Sequence, residues 1–298
     1  MVVGAGETNG GSTVLRRQLG RHLARERDRA GMSLEQAGKL LEMSRAKLSR
    51  VERGEVQLRT FEVTAMCQIY GTSPELTAEL AGLAPLTRAR GWWHPNRKAV
   101  PPLFDLYLGM EAAAATLRNF EAGFVPGLLQ TRAYAEAVIR SGAPLLDDEQ
   151  VGQRVDLRIE RQRILGRANP PRLDVIIDEA VLRRPVPDPA GMAEQLDQLL
   201  EGARPAAAVV RVLPFTAAPT MASMTTAFVI VGFPDAGPRE PEPATVYSEQ
   251  LTGALYLEEE KEVAAHEEAW KELEAKAMNP QDSSALIEKI AQEYRHAT

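Results

Sequence analysis

Cysteine and histidine are scarce in this sequence. Its single cysteine, Cys67, excludes an internal disulfide bond and a cysteine metal cluster. Cys67 lies in the apolar helical pattern FEVTAMCQIY, so we expect a buried, unreactive thiol. The four histidines are scattered and show no metal-ligand spacing: His22, His94, His266 and His296. We therefore predict neither a metal site nor a cofactor.

The sequence also has no apolar run close to the roughly 20 residues that a membrane-spanning helix requires. No signal peptide is visible, so we expect a cytoplasmic protein without a membrane partner. The net charge is −6, but it is unevenly distributed. Residues 14–59 hold 12 Lys and Arg against 6 Asp and Glu, whereas residues 254–298 hold 5 against 11. Such asymmetry is typical of a nucleic-acid-binding head on an acidic body.

Short helices with clear start and stop signals occupy the first part of the chain. Ser33 and Gln36 form a capping-box pattern at the start of the second helix. Ser44 is a typical N-cap for the third helix, which Gly54 ends. The pattern predicts an all-α domain of five helices. The predicted division of the chain is a disordered lead (1–13), a helix-turn-helix domain (14–83), a linker (84–102) and a second domain (103–298).

The second and third helices are only a few residues apart, which is helix-turn-helix spacing. In that motif the second helix of the pair enters the major groove of DNA, here the third helix, 44–53. The residues on one of its faces are predicted to read bases: Arg45, Ala46, Ser49 and Arg50. Positive or N–H-donating residues nearby are predicted to contact phosphates: Arg17, Ser33, Ser44, Lys47, Arg53 and Arg59. A solvated basic face fits the charge equally well, but the spacing and the caps favour DNA.

The stretch RERDRAGMSLEQAGKLLEMSRAKLSRVERGE resembles the XRE family of phage-repressor-like and Cro-like helix-turn-helix proteins. The resemblance covers about residues 15–83 and implies their five-helix fold. It also implies a buried ion pair between Arg27 and Glu52, with a structural role. Two positions depart from the family. Leu34 stands where many members have a phosphate-contacting Gln, and Glu55 stands where a basic or neutral residue would suit the DNA backbone better.

Beyond the linker, helical patterns give way to a cluster of β-type runs. Helices are predicted at 105–122, 131–141, 147–166, 189–203, 260–277 and 282–296. Runs rich in Val, Ile, Tyr and Phe predict strands at 173–178, 207–215, 225–233, 244–249 and 254–259. Helices followed by clustered strands predict an α+β domain with a mostly antiparallel sheet.

A basic stripe marks the predicted helix 147–166. Arg154, Arg158 and Arg161 recur on one of its faces. Salt bridges to the acidic C-terminal helices are the favoured interpretation, and recognition of an anionic ligand or partner is the alternative. The motifs VPGLLQT and RQRIL…DEAVLRR resemble the C-terminal domain behind XRE-type heads in actinobacterial regulators of the WhiJ-like and antitoxin-like group. That resemblance implies sensing of a ligand or of a small protein partner.

These patterns predict a sequence-specific transcription regulator that binds double-stranded DNA at the nucleoid. Two-fold operators are common for such heads, so we expect a homodimer. One alternative is an antitoxin-like protein that mainly sequesters a small partner and autoregulates. Another is a DNA-tethered enzyme that uses the adjacent carboxylates Asp178 and Glu179. Adjacent acids at a strand end are more often caps or ion-pair partners, so we expect no enzyme.

Overall fold

The computed structural model describes residues 11–87, 99–101, 104–202, 208–234, 242–251 and 253–296. These residues form two compact units. The first contains residues 11–87 and 105–113, and the second contains the others. Most of the predicted linker lies outside the described residues. No helix in the described part of the chain is long and apolar enough to cross a membrane.

The first unit contains the five helices of the predicted all-α domain. They are α1 (Gly11–Arg29), α2 (Leu34–Leu40), α3 (Arg45–Glu52), α4 (Thr60–Tyr70) and α5 (Pro74–Leu86). Each helix turns an apolar side chain into one core: Leu23, Ala37, Leu48, Met66 and Leu80 are at most 1% exposed. The thiol of Cys67 is buried in the same core. This arrangement confirms the predicted fold class of the head.

The side chains of Ser33 and Ser44 cap the first turns of α2 and α3. The Ser33 hydroxyl accepts a hydrogen bond from the Gln36 N–H, and the Gln36 side chain accepts one from the Ser33 N–H, which completes the capping box. The Ser44 hydroxyl accepts a hydrogen bond from the N–H of Lys47 at 3.1 Å. Both starts agree with the sequence prediction.

A tight turn ends α3 and requires glycine. Gly54 has φ +71°, and its N–H donates to the carbonyl of Val51 at 2.9 Å. The N–H of Glu55 donates to the carbonyl of Arg50 at 2.9 Å, which makes the turn a Schellman motif. A side chain at position 54 would begin only 2.6 Å from the Cα of Arg17. The turn therefore packs closely on α1.

The first helix begins earlier than predicted. Residues 11–13 are helical, although they were predicted to end a disordered lead, and residues 1–10 lie outside the described part. The physical reason is packing, because Thr13 is 2% exposed and lies against Gly109 of α6 (Phe104–Ala113). Most of α6 groups with the first unit, whereas residues 103–298 were predicted to form the second domain.

The second unit is built on a six-stranded mixed sheet, as far as the described residues show. The strands are β1 (Thr116–Glu121), β2 (Arg172–Asp178), β3 (Ala208–Leu213), β4 (Phe228–Gly232), β5 (Thr245–Gln250) and β6 (Gly253–Leu257). Their spatial order is β3-β2-β1-β4-β5-β6. β1–β2 and β2–β3 are parallel, whereas β1–β4, β4–β5 and β5–β6 are antiparallel. The α+β class is confirmed.

Helices cover this sheet. They are α7 (Arg132–Gly142), α8 (Asp148–Arg161), α9 (Glu179–Arg183), α10 (Pro189–Gly202), α11 (Glu260–Lys276) and α12 (Pro280–His296). Trp270 and Leu273 of α11 share a core with Phe120 and Ile230 of the sheet. Residues 173–177 of β2 are all buried, so side chains on both faces of this strand are covered.

Strand β1 was not predicted from the sequence. One helix was predicted over 105–122, a segment whose four consecutive alanines favour a helix. The helix instead stops at Ala113, and β1 lies between β2 and β4 in the sheet. Phe120 pairs with Ile176 on one side and with Phe228 on the other. Pairing with strands distant in the sequence outweighs the local helix preference.

Candidate nucleic-acid interface

The solvent-facing side of α3 carries the residues predicted to read bases. Arg45, Ala46 and Arg50 are exposed, and Ser49 is half-buried. Six residues line one hollow of about 350 Å³: Leu34, Arg45, Ala46, Ser49, Arg50 and Arg53. Leu48 and Val51 fall on the opposite side and are buried in the core. All four predicted base readers are therefore together on one presented surface.

An ion pair links α3 to α1. Arg27 Nε donates to Glu52 Oε1 at 2.6 Å, and a terminal nitrogen donates to Oε2 at 2.9 Å. The two side chains are only 10% and 9% exposed. The hydrogen bond with Glu52 raises the pKa of Arg27 above its usual value, so the guanidinium stays charged. Arg27 also donates to the carbonyl of Met32 at 2.7 Å. The pair joins structural elements and lies away from the exposed face.

Most residues predicted to contact phosphates are exposed: Ser33, Ser44, Lys47, Arg53 and Arg59. Lys47 and Arg59 line a second hollow, of about 310 Å³, together with Gln57. The Arg59 guanidinium lies 6.0 Å from the ring centroid of Phe61. This second hollow brings two of the predicted phosphate contacts to one place.

Arg17 is wrongly placed among the predicted phosphate contacts. Its side chain is 1% exposed, and a terminal nitrogen contacts Met110 Sδ of α6. Arg17 lies under the Gly54 turn, so a phosphate cannot reach it without opening the domain. Its neighbour Arg16 donates from Nε to the carbonyl of Gly54 at 2.6 Å. Both arginines thus hold the first unit together.

Glu55 lies beside the arginines of the reading face. One carboxylate oxygen is 2.8 Å from Arg53 Nε, and the other is 3.4 Å from Arg50 Nε. The Glu55 side chain is 31% exposed, against 58% for Arg50 and 62% for Arg53. The sequence identified Glu55 as unfavourable for DNA contact, but it did not reveal that Glu55 pairs with two predicted DNA contacts.

The arginine stripe of α8 is partly engaged within the second unit. Arg158 donates to Gln130 Oε1 at 3.0 Å, and burial lowers the pKa of Arg158 to about 10. The Arg161 guanidinium lies 5.3 Å from the ring centroid of Phe104. Arg154 is half-buried. Neither of these contacts involves the acidic C-terminal helices that the sequence analysis favoured.

A carboxylic acid that sequence reasoning missed lies near this stripe. Glu121 ends β1, and burial raises its pKa to about 8. A hydrogen bond with Asn119 and the charges of Arg161 and Arg158 act in the opposite direction. The alternation of TLRNFE was the signal that could have found it. The helix predicted over that segment hid this signal.

Asp178 and Glu179 have structural partners. Asp178 accepts a hydrogen bond from the N–H of Ala180 at 2.8 Å and so caps α9. Glu179 accepts one from the N–H of Phe215 at 3.0 Å and one from Arg183 Nε at 2.7 Å. These contacts favour the cap and ion-pair interpretation over a pair of catalytic carboxylates.

Two protein-family models match the chain. Residues 18–80 match a helix-turn-helix domain, which corresponds to the first unit with its exposed α3. Residues 104–289 match the family described as domain of unknown function (DUF5753), and this match covers more than half of the chain. The protein belongs to the DUF5753 family and carries a helix-turn-helix domain before that region. No curated protein matches the chain at a significant level.

Proposed function

We propose that the protein is a sequence-specific transcription regulator of the XRE type that inserts α3 into the major groove of double-stranded DNA. The hollow shared by Arg45, Ala46, Ser49 and Arg50 carries the proposal. Arginine can donate two hydrogen bonds to guanine O6 and N7, serine can contact several bases, and alanine can touch a thymine methyl group. Because the other side of α3 is locked in the core, a rigid element presents these residues.

The exposed basic and hydroxyl residues around α3 are the proposed phosphate contacts: Ser33, Ser44, Lys47, Arg53 and Arg59. Phosphate contacts set the register of the protein on the duplex and supply salt-dependent affinity. The start of α2 adds backbone N–H groups that a phosphate can accept. In this proposal the protein works as a homodimer in the cytoplasm, at the nucleoid, and reads a two-fold symmetric operator.

The DUF5753 region is the proposed sensor of a ligand or of a small protein partner. Support comes from the three arginines on one face of α8, Arg154, Arg158 and Arg161. Because Arg158 bonds Gln130 and Arg161 lies over Phe104, an anionic ligand would have to displace these contacts. Arg154 is therefore the first residue to substitute in a search for such a ligand.

Antitoxin-like sequestration of a small partner is the second candidate function. The observation in its favour is the acidic character of the last two helices, in which Glu260, Glu268, Glu274 and Glu288 are exposed. Glu268 lies 2.6 Å from Lys271 and Glu274 lies 3.2 Å from Arg211, so a basic partner would compete with these two contacts. Co-expression with a small basic protein encoded beside this chain tests it. A complex that the double substitution Glu268→Gln and Glu288→Gln weakens would support sequestration, and no complex would contradict it.

Selection from a random duplex library by the full-length protein tests the main proposal. We expect a two-fold symmetric motif. Arg50→Ala should cost about 1–3 kcal/mol on the selected duplex and relax the preference at one base pair. The control Lys47→Ala should weaken binding equally on all duplexes. Equal weakening by Arg50→Ala would show that Arg50 contacts only phosphate, and a selection without a motif would contradict the proposal.

A further inference from the structure

The turn after α3 places one carboxylate against two arginines that the proposed function assigns to DNA. We propose that Glu55 is a specificity-determining residue: it limits the affinity of α3 for phosphate while leaving Arg50 able to read a base. This inference rests on the proposed function. It concerns a residue that touches no base itself and acts through Arg50 and Arg53.

The backbone fixes the point from which the Glu55 side chain extends. Glu55 follows Gly54, whose left-handed conformation closes the turn, and its N–H is bonded to the carbonyl of Arg50. Arg16 holds the carbonyl of Gly54 at 2.6 Å. Because the turn is held on both sides, the backbone of Glu55 is fixed within reach of Arg50 and Arg53, which its carboxylate contacts.

The contacts of Glu55 leave hydrogen-bond donors available. The short contacts are with Nε of Arg53, at 2.8 Å, and Nε of Arg50, at 3.4 Å. A guanidinium has five N–H donors, so a carboxylate at Nε leaves the terminal nitrogens for a base. A guanine engaged by those nitrogens does not require Arg50 to release Glu55. The carboxylate then also orients the guanidinium before DNA arrives.

Glu55 should affect the binding of a phosphate more than the binding of a base. A phosphate that approaches Arg50 or Arg53 competes with the Glu55 carboxylate for the same charge and is repelled by it. This penalty applies to every duplex, whatever its sequence. Only a duplex that presents the correct base offsets this penalty, through its hydrogen bonds with Arg50. Glu55 therefore lowers non-specific binding more than specific binding and widens the ratio between them.

The substitution Glu55→Gln removes the charge and keeps the size of the side chain. Glu79→Gln, on the exposed surface of α5, is the matched control because it changes the net charge equally. The full-length proteins are titrated with a selected duplex and with a scrambled duplex at several salt concentrations. Glu55→Gln should bind the scrambled duplex about two- to fivefold more tightly. Its affinity for the selected duplex should change less, and the salt slope should steepen by about one.

Each outcome bears on the proposal. An unchanged ratio between selected and scrambled affinity, or equal changes in the Glu79→Gln control, would overturn it. Adding Arg53→Gln to Glu55→Gln should remove the gain on scrambled DNA; a persisting gain would exclude Arg53 as the group that Glu55 restrains. Thermal unfolding separates a folding defect from this effect, and Glu55→Asp should keep the native ratio. If the native protein selects no duplex, the proposed function fails as well.

Discussion

The two units use arginine at helical spacing in opposite ways. On α3, Arg45 and Arg50 are exposed, and the Glu55 carboxylate lies 3.4 Å from Arg50 Nε. On α8, Arg158 is held by Gln130, and burial lowers its pKa. Both sets were predicted from the sequence as arginines on one face of a helix. The comparison shows that the spacing of arginines in the sequence indicates a helix face, whereas the burial of their side chains decides whether that face can bind a polyanion.

The largest expected effect concerns the ion pair between Arg27 and Glu52, which links α1 to α3. Glu52→Ala should destabilise the first unit by up to about 3–5 kcal/mol, because it leaves the largely buried charge of Arg27 with only the exposed Asp28 as an ionic partner. Thermal and urea unfolding of the full-length protein measure this loss. Glu79→Ala, on an exposed part of α5, is the control and should stay within about 0.5 kcal/mol. Unfolding curves of Glu52→Ala that match the native protein would contradict a stabilising pair.

A smaller effect is expected in the second unit, whose stability should depend on pH through Glu121. The pKa of Glu121 is raised to about 8 from a usual value near 4.5, so the folded chain holds a proton that the unfolded chain releases between these values. Its contribution to stability is complete below about pH 4.5 and is lost as the pH rises through 8. Unfolding of the native protein between pH 5 and 8 should show this loss. In Glu121→Gln, the loss of unfolding free energy between pH 5 and 8 should be smaller than in the native protein by at least about 1 kcal/mol. An identical pH dependence in the variant would contradict the raised pKa of Glu121.

The smallest effect compares exposed and buried basic residues within the head. Lys47→Ala should lower the salt slope of DNA binding by about one, because it removes one phosphate contact. Arg17→Met should leave that slope unchanged, because Arg17 lies under the Gly54 turn and contacts Met110. Titrations across salt concentrations measure both. A reduced salt slope for Arg17→Met would show that Arg17 does contact a phosphate.

Short-range signals made the head predictable. Ser33, Ser44 and Gly54 act within a turn of their own positions, so caps and stops could be read from neighbouring letters. The Arg27–Glu52 pair came from a family resemblance, since nothing local indicates it. Arg17 was misassigned because only tertiary packing shows that its side chain is buried under the Gly54 turn.

The second unit was less predictable because long-range pairing decides its structure. β1 lies between two strands that are distant in sequence, and the helix-favouring alanines just before it concealed it. The surroundings of Glu121 and the contacts of Arg158 with Gln130 depend on that strand and on the turn that follows it. Strands β2 to β6 were found because β-branched and aromatic runs mark them.

Genome-wide mapping of the binding sites of the native protein tests the central claim most directly. We expect enrichment at sites that share a palindromic motif, and Arg50→Ala should lose the preference at one base pair in each half-site. Sites without a shared motif, or no enrichment, would contradict the assignment of α3 as a sequence-reading helix.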